Sequence, residues 1–404
     1  MKDISEIRSD FPILGRKVYG KQLVYFDNGA TAQKPQRVID SVDEILTFFN
    51  GNIHRGVHYL SDMASESYEN ARQKVAAFIN ASGKEEIVFT SGTTGSINTI
   101  AFSFGERYIK RGDEIIVSHL EHHANIVPWQ MLCERKGAIL KVIPMNSNGE
   151  IITGEYLKLL SPKTKIVAIT QVSNALGTIV PVNEIIEAAH SNNTPVLVDG
   201  AQGIQHGIVD VQKMDCDFYV FSGHKIYGPT GIGVLYGKKK WLEELPPYQG
   251  GGDMVEKVTF EKTTYNHLPF KFEAGTMNYA GAVGLGAALD YITELGREEI
   301  AERERQLLSY ATECISGIEG VTIYGNSERK ISTISFLIDG IHQYDTGMVL
   351  DKLGIAVRTG THCAQPVMDF FGIDGTVRVS MCFYNTRQEI EALVQGIEKV
   401  KSMF

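Results

Sequence analysis

Two apolar runs end on residues with reactive side chains. Val196-Leu197-Val198 stops on Asp199, and Phe218-Tyr219-Val220-Phe221 stops on Ser222-Gly223-His224-Lys225. Short apolar runs bounded by glycine and polar residues read as buried parallel strands. Ligands of such sheets sit beyond the carboxyl ends of the strands, so the acid and the lysine would share one rim. An acid that pairs with a pyridinium nitrogen, with a lysine able to form a Schiff base, is what pyridoxal phosphate requires. Taken singly, an aspartate in a turn and a lysine on the surface are the simpler readings.

Other stretches could complete such a site. Ser91-Gly92-Thr93-Thr94-Gly95-Ser96 lies between a strand pattern at Glu86–Thr90 and a helical pattern. Backbone N–H groups and hydroxyls there could hold a phosphate at a helix N-terminus, although serine and threonine also cap ordinary helices. Of the five cysteines, Cys363 alone sits in a polar loop, beside His362 and five residues after Arg358. Those neighbours favour the nucleophilic thiolate. Cys216 and Cys382 lie in or beside apolar strands and read as packing residues; Cys133 and Cys314 fall in helical patterns. The Gly-x-Gly pairs at 231–233 and 284–286 complete no dinucleotide fingerprint after a strand. His122 and His123 lack a Cys or carboxylate cluster at ligand spacing, so no metal site is expected.

The elements that must position these groups alternate along the chain. Strand patterns at 114–117, 165–170, 196–198, 218–221 and 233–236 are separated by helical segments, the pattern of a doubly wound α/β domain with a mostly parallel sheet. From about residue 285 the pattern becomes that of a smaller α+β domain, with strands near 321–324, 331–338 and 355–357. Its last helix has a capping box at Thr386 and Glu389 and an apolar stripe at Ile390, Leu393, Val394, Ile397 and Val400. The charged run Arg297–Arg305 reads as a solvated helix face. The expected division is an arm at 1–20 packing with the small domain, a large cofactor domain at 21–284, and a small domain at 285–404 carrying the Cys363 loop.

The 404-residue chain has room for two domains and a sizeable core. A net charge of −9 argues against nucleic acid or an anionic membrane as a general partner. No apolar run reaches the length of a membrane span, and the opening residues carry no secretory pattern. Five scattered cysteines without a Cys-x-x-Cys pair point to a reducing, cytoplasmic compartment.

Taken together and in order, several stretches resemble the Suf-type (group II) pyridoxal-phosphate cysteine desulfurase and selenocysteine lyase family. They are TSGTT at 90–94, EHHAN at 121–125, VSNALGT at 172–178, VDGAQ at 198–202, FSGHKIYGPTGIGVLYG at 221–237, FEAGT at 272–276 and RTGTHCAQP at 358–366. The resemblance runs from FDNGAT at 26–31 to RVSMCFYNT at 378–386. It implies a fold-type-I homodimer using pyridoxal 5'-phosphate. Lys225 matches the Schiff-base lysine and Asp199 the partner of the pyridine nitrogen. Thr93, Thr94, Ser222 and His224 match phosphate ligands, and Thr276 matches one reaching across from the other subunit. His122 matches the imidazole stacked on the ring, as acid–base group or as stacking partner only. Asn174 and Gln202 match donors near the phenolic oxygen. Arg378 matches the anchor of the substrate carboxylate, with Asn174 and Arg358 also expected at the substrate, and Cys363 matches the sulfur acceptor. The family loop often carries two histidines before the cysteine, whereas this chain has Thr361-His362.

The resemblance implies conversion of L-cysteine to L-alanine, with sulfur passing to Cys363 and then to a Suf-type acceptor protein for iron–sulfur cluster assembly. L-Selenocysteine is the other candidate substrate. Another fold-type-I activity such as aminotransfer, or a non-catalytic role in a sulfur-transfer complex, are the rival readings.

Overall fold

The computed structural model describes residues 3–404, so the first two residues of the expected arm lie outside the described residues. The apolar runs assemble into a central sheet of β1 (Ile87–Thr90), β2 (Glu114–Ser118), β3 (Ile139–Ile143), β4 (Thr164–Thr170), β5 (Val196–Asp199), β6 (Phe218–Ser222) and β7 (Gly233–Gly237). Their spatial order is β1-β7-β6-β5-β4-β2-β3. Strands β2 to β6 run parallel, while β7 is antiparallel to both β1 and β6. Side chains alternate between two cores: Val196, Val198, Tyr219 and Phe221 enter one, and Leu197, Phe218 and Val220 the other. Both faces are dry, so these strands read as continuous apolar runs.

Helices α1 (Gln36–Phe48), α2 (Tyr59–Phe78), α3 (Thr93–Tyr108) and α4 (Tyr279–Leu295) belong to this unit. α4 packs on α1 and α2, and α3 packs on β6 and β7. α4 runs through residue 284, and the chain breaks direction at Gly296, whose φ of 90° suits glycine.

The helix α5 (Arg297–Ser316) leads into an antiparallel sheet of β8 (Val321–Tyr324), β9 (Thr333–Ile338), β10 (Arg358–Gly360) and β11 (Thr376–Ser380), in the order β8-β9-β11-β10. The last helix, α6 (Arg387–Lys401), starts with the expected capping box. Leu307 and Ala311 of α5 share a core with Phe336, Val377 and Val379 of the sheet and with Ile390, Leu393 and Ile397 of α6. Val24 and Phe26 join that core, and Val24 pairs in register with Ile355. Residues 24–26, expected within the large domain, are therefore stitched into the small sheet's side of the molecule.

Near the N-terminus, the short helix Ile4–Ser9 is pinned by Arg8, which donates to the Tyr384 carbonyl at 2.7 Å and to Glu389 at 2.9 Å. Phe11, 1% exposed, lies against Tyr384 with ring centroids 4.7 Å apart. Burying such a ring stabilises by about 1.5–3 kcal/mol. The run Arg297–Arg305 departs from a uniformly solvated face. Glu304 is buried, 2.6 Å from His206 Nδ1, and accepts from the Phe383 N–H at 3.1 Å.

Candidate active site

Because β5 and β6 are parallel neighbours, with Asp199 opposite Val220, their carboxyl ends open on the same rim. There a cavity of about 250 Å3 is lined by Asp199, Gln202, Ser222, His224 and Lys225 from the sheet, and by Thr93 and Thr94 from the start of α3. His122, Asn174, Arg358, His362, Cys363 and Arg378 close it from the loops and from the small sheet. Residues expected at the site from distant stretches thus meet in one cavity. Thr276 is the exception: it lines a separate recess with Ser91, Gly95 and Tyr248, and its hydroxyl bonds to Asn52 at 3.2 Å.

The end formed by α3 is suited to an anion. Gly92 caps the helix at φ 144°, and the Thr93 N–H donates to Ser222 Oγ at 2.8 Å. The N-terminal N–H groups of a sixteen-residue helix and three hydroxyls face one place, where the helix field favours negative charge. His224 lies beside them, held neutral by burial and by Lys225, which lower it to about 4.

Asp199 is 3% exposed and accepts from the Ala201 N–H at 2.9 Å. Burial raises its carboxyl to about 6. Lys225 donates to the Gly29 carbonyl, which also accepts from Gln202 Nε2 at 2.9 Å. Loss of water and the nearby Arg378 lower its amine to about 7, against the pull of Asp199 and Asp27. His122 accepts from the Ala124 N–H through Nδ1 at 3.0 Å, and burial lowers it to about 4. Its ring is therefore neutral at physiological pH.

Arg358 and Arg378 stand directly opposite each other on β10 and β11. Two cations in that register repel. Asp27 lies against both, 3.1 Å from Arg378 and 3.8 Å from Arg358, but one carboxylate balances only one of them. The uncompensated charge makes this wall of the cavity receptive to a carboxylate. Asp27 was missed from sequence because Asp27-Asn28-Gly29 carries only a turn signal.

Cys363 is exposed at the mouth, and both it and His362 adopt φ 55°. Of the two neighbours expected to favour the thiolate, His362 and Arg358, the histidine does not supply positive charge. Its Nε2 bonds to Thr376 Oγ1 at 2.8 Å, and burial with two nearby arginines lowers it to about 3. Arg358 and Arg378 provide the local charge instead. Cys216 and Cys382 are buried, as expected for packing residues.

Glu121 is a second residue that sequence reasoning passed over, inside the EHHAN stretch. Fully buried, it accepts from Ser118 Oγ at 2.5 Å, Asn125 Nδ2 at 2.6 Å and the Thr170 N–H at 3.0 Å. Burial raises it to about 8 in spite of these donors. It anchors the loop that presents His122.

A family model described as Aminotransferase class-V matches residues 24–393. The chain is 51% identical over 400 residues to a cysteine desulfurase of Synechococcus elongatus, covering 99% of this chain and 64% of that one. It therefore spans under two thirds of that relative. A cysteine desulfurase of Salmonella choleraesuis is 48% identical, over 98% of both chains. A solved apo structure of a cysteine desulfurase from Thermococcus onnurineus superposes with a TM-score of 0.95 at 38% identity, covering 100% of this chain and 99% of that one.

Proposed function

This chain belongs to the aminotransferase class-V family, and from that membership we propose that it is a pyridoxal-phosphate-dependent cysteine desulfurase. The observation that carries the reading is the meeting of Lys225, Asp199, Arg378 and Cys363 around one cavity. An aminotransferase needs the first three but no cysteine at the mouth. Desulfuration needs all four.

The residues present fit the cofactor. Buried polar atoms without a partner, Asn174 Oδ1 and Arg378 Nε among them, belong to side chains that line the cavity. Thr93, Thr94, Ser222 and His224 would hold the phosphate, Asp199 the pyridine nitrogen, and Asn174 and Gln202 the phenolic oxygen. His122 would stack on the ring, and Lys225 would hold the group covalently. When bound, pyridoxal phosphate supplies an electron sink for the substrate Cα.

The protein side of the reaction follows from charge and position. Arg378, with Arg358 and Asn174 beside it, binds the carboxylate of L-cysteine and fixes its orientation. Lys225, with an amine at about 7, takes the Cα proton near neutral pH. Asp199 keeps its charge opposite the ring nitrogen. The Cys363 thiolate attacks the substrate sulfur, the Cβ–S bond breaks, and its electron pair leaves with carbon. The substrate thiol gives up its proton, a proton goes to that carbon and Lys225 returns its proton to Cα, so L-alanine leaves and the sulfur stays on Cys363 as a persulfide. His122 either moves a proton here or only stacks.

Thr276 would then reach the phosphate of a partner subunit in a homodimer. The persulfide would pass to a Suf-type acceptor protein supplying iron–sulfur cluster assembly in the cytoplasm. The division into a large domain, a small domain carrying the Cys363 loop and an N-terminal arm belongs to the same reading. Among the described residues no helix is long and apolar enough to cross a membrane.

The test is alanine release by the parent, Lys225→Ala and Cys363→Ala proteins. Lys225→Ala is expected to lose both the borohydride-sensitive visible absorption and the activity. Cys363→Ala should retain the absorption and lose alanine release from cysteine. Full desulfuration by Cys363→Ala would remove the nucleophile assignment. Selenocysteine, with its weaker bond to carbon, is the companion substrate: alanine from it without Cys363 would identify lyase activity.

A further inference from the structure

Two consecutive non-glycine residues, His362 and Cys363, sit at φ 55°. Side chains rarely adopt this region, and each such residue costs on the order of 1–3 kcal/mol unless its surroundings over-determine it. The surroundings here are specific. The His123 N–H donates to the Cys363 carbonyl at 2.8 Å, and His123 Nε2 accepts from the Gln365 N–H at 3.2 Å. His119 Nε2 bonds to the Pro366 carbonyl at 3.0 Å. The segment 119–123 thus clasps the chain from the Cys363 carbonyl to Pro366, immediately downstream of the thiol.

The clasp is mounted on a rigid base. Glu121, between the two histidines, is tied to β4 through Thr170 and to its own loop through Ser118 and Asn125. The same segment presents His122 to the cavity. One loop therefore determines both the face of the cavity at His122 and the height of the Cys363 thiol above it. An error of about 1 Å in placing a reacting group can cost on the order of a hundredfold in rate.

We propose that His123 is a positioning residue that holds Cys363 over the cavity, its backbone N–H bonding the Cys363 carbonyl and its imidazole accepting from the Gln365 N–H just downstream. This rests on the desulfurase reading above. The role requires Nε2 to accept a hydrogen bond; it needs no proton transfer by His123.

The test compares His123→Leu, which removes the acceptor, with His123→Gln, whose amide oxygen can replace it, in the holoenzyme. His123→Leu is expected to lower kcat for alanine release about tenfold or more, with KM for cysteine and the cofactor absorption unchanged. Amide hydrogen exchange in a peptide spanning 358–367 should quicken. His123→Gln should return both towards the parent. Unchanged kcat and exchange in His123→Leu would overturn the proposal, as would equal losses in both variants accompanied by loss of cofactor absorption. A parent enzyme that released no alanine would overturn the desulfurase reading alone, and the exchange comparison would still decide the clasp.

Discussion

Asn174 donates from its side-chain amide to the carbonyl of His362 at 2.6 Å, joining the loop after β4 to the loop that carries Cys363. The carbonyl of Asn174 accepts from Arg378 Nη1 at 2.9 Å. A single residue thereby touches both the thiol loop and the guanidinium proposed to bind the substrate carboxylate.

Asn174→Ala is expected to impair the reaction more than the fold. It leaves the His362 carbonyl without its donor, and an unsatisfied buried group costs about 1–3 kcal/mol. That loss is concentrated where two left-handed residues depend on external support. Alanine release should fall by about tenfold or more, through misplacement of Cys363 together with loss of the contacts proposed for Asn174 at the cofactor and the substrate. Steady-state kinetics beside urea unfolding separates the two effects. A large fall in unfolding midpoint with normal turnover per folded molecule would contradict this account.

Glu273→Ala should destabilise the protein strongly. Glu273 is paired with Arg72 at 2.6 and 2.9 Å and accepts from Tyr68 and from the Phe89 N–H. Arg72 is fully buried, so removal of the carboxylate leaves this core cation with Glu69 alone, 3.1 Å away and partly exposed. Breaking such a pair costs about 3–5 kcal/mol. The same carboxylate anchors the turn leading to Thr276, so retention of the cofactor in the proposed homodimer should weaken as well. Urea unfolding measures the first effect, and the rate of cofactor loss on dilution measures the second.

The strands were legible because their signal is local. A sheet buried on both faces demands runs such as Val196–Val198 and Phe218–Phe221, and the polar residues that end them mark the rim. Asp199 and Lys225 could be paired on that basis alone. Arg378 and Asp27 could not, since their contact spans 351 positions and leaves no periodicity in either segment. Arg358 looked like a loop residue because a three-residue edge strand is too short to show alternation. His362 looked like a cationic neighbour of the thiol because spacing does not reveal where a ring points. Folding turns it onto Thr376. Thr276 entered through resemblance only, and within one chain it stays outside the cavity.

Covalent cofactor uptake by the apoprotein should follow the proton on Lys225. Only the unprotonated amine can bond to the aldehyde carbon. With the amine at about 7, uptake should accelerate as pH rises through 7 and level off above it. An ordinary lysine, near 10.4, would keep accelerating to about pH 10. Burial is the main cause of the shift and Arg378 the next, since a neighbouring cation disfavours a second positive charge. Removing that cation in Arg378→Leu should move the midpoint upward, towards the ordinary lysine value. The measurement is the rate of borohydride-reducible adduct formation against pH in the two apoproteins. A midpoint near 10 in the parent would mean that the cavity does not lower Lys225. A parent midpoint near 7 left unmoved by Arg378→Leu would assign the shift to burial alone.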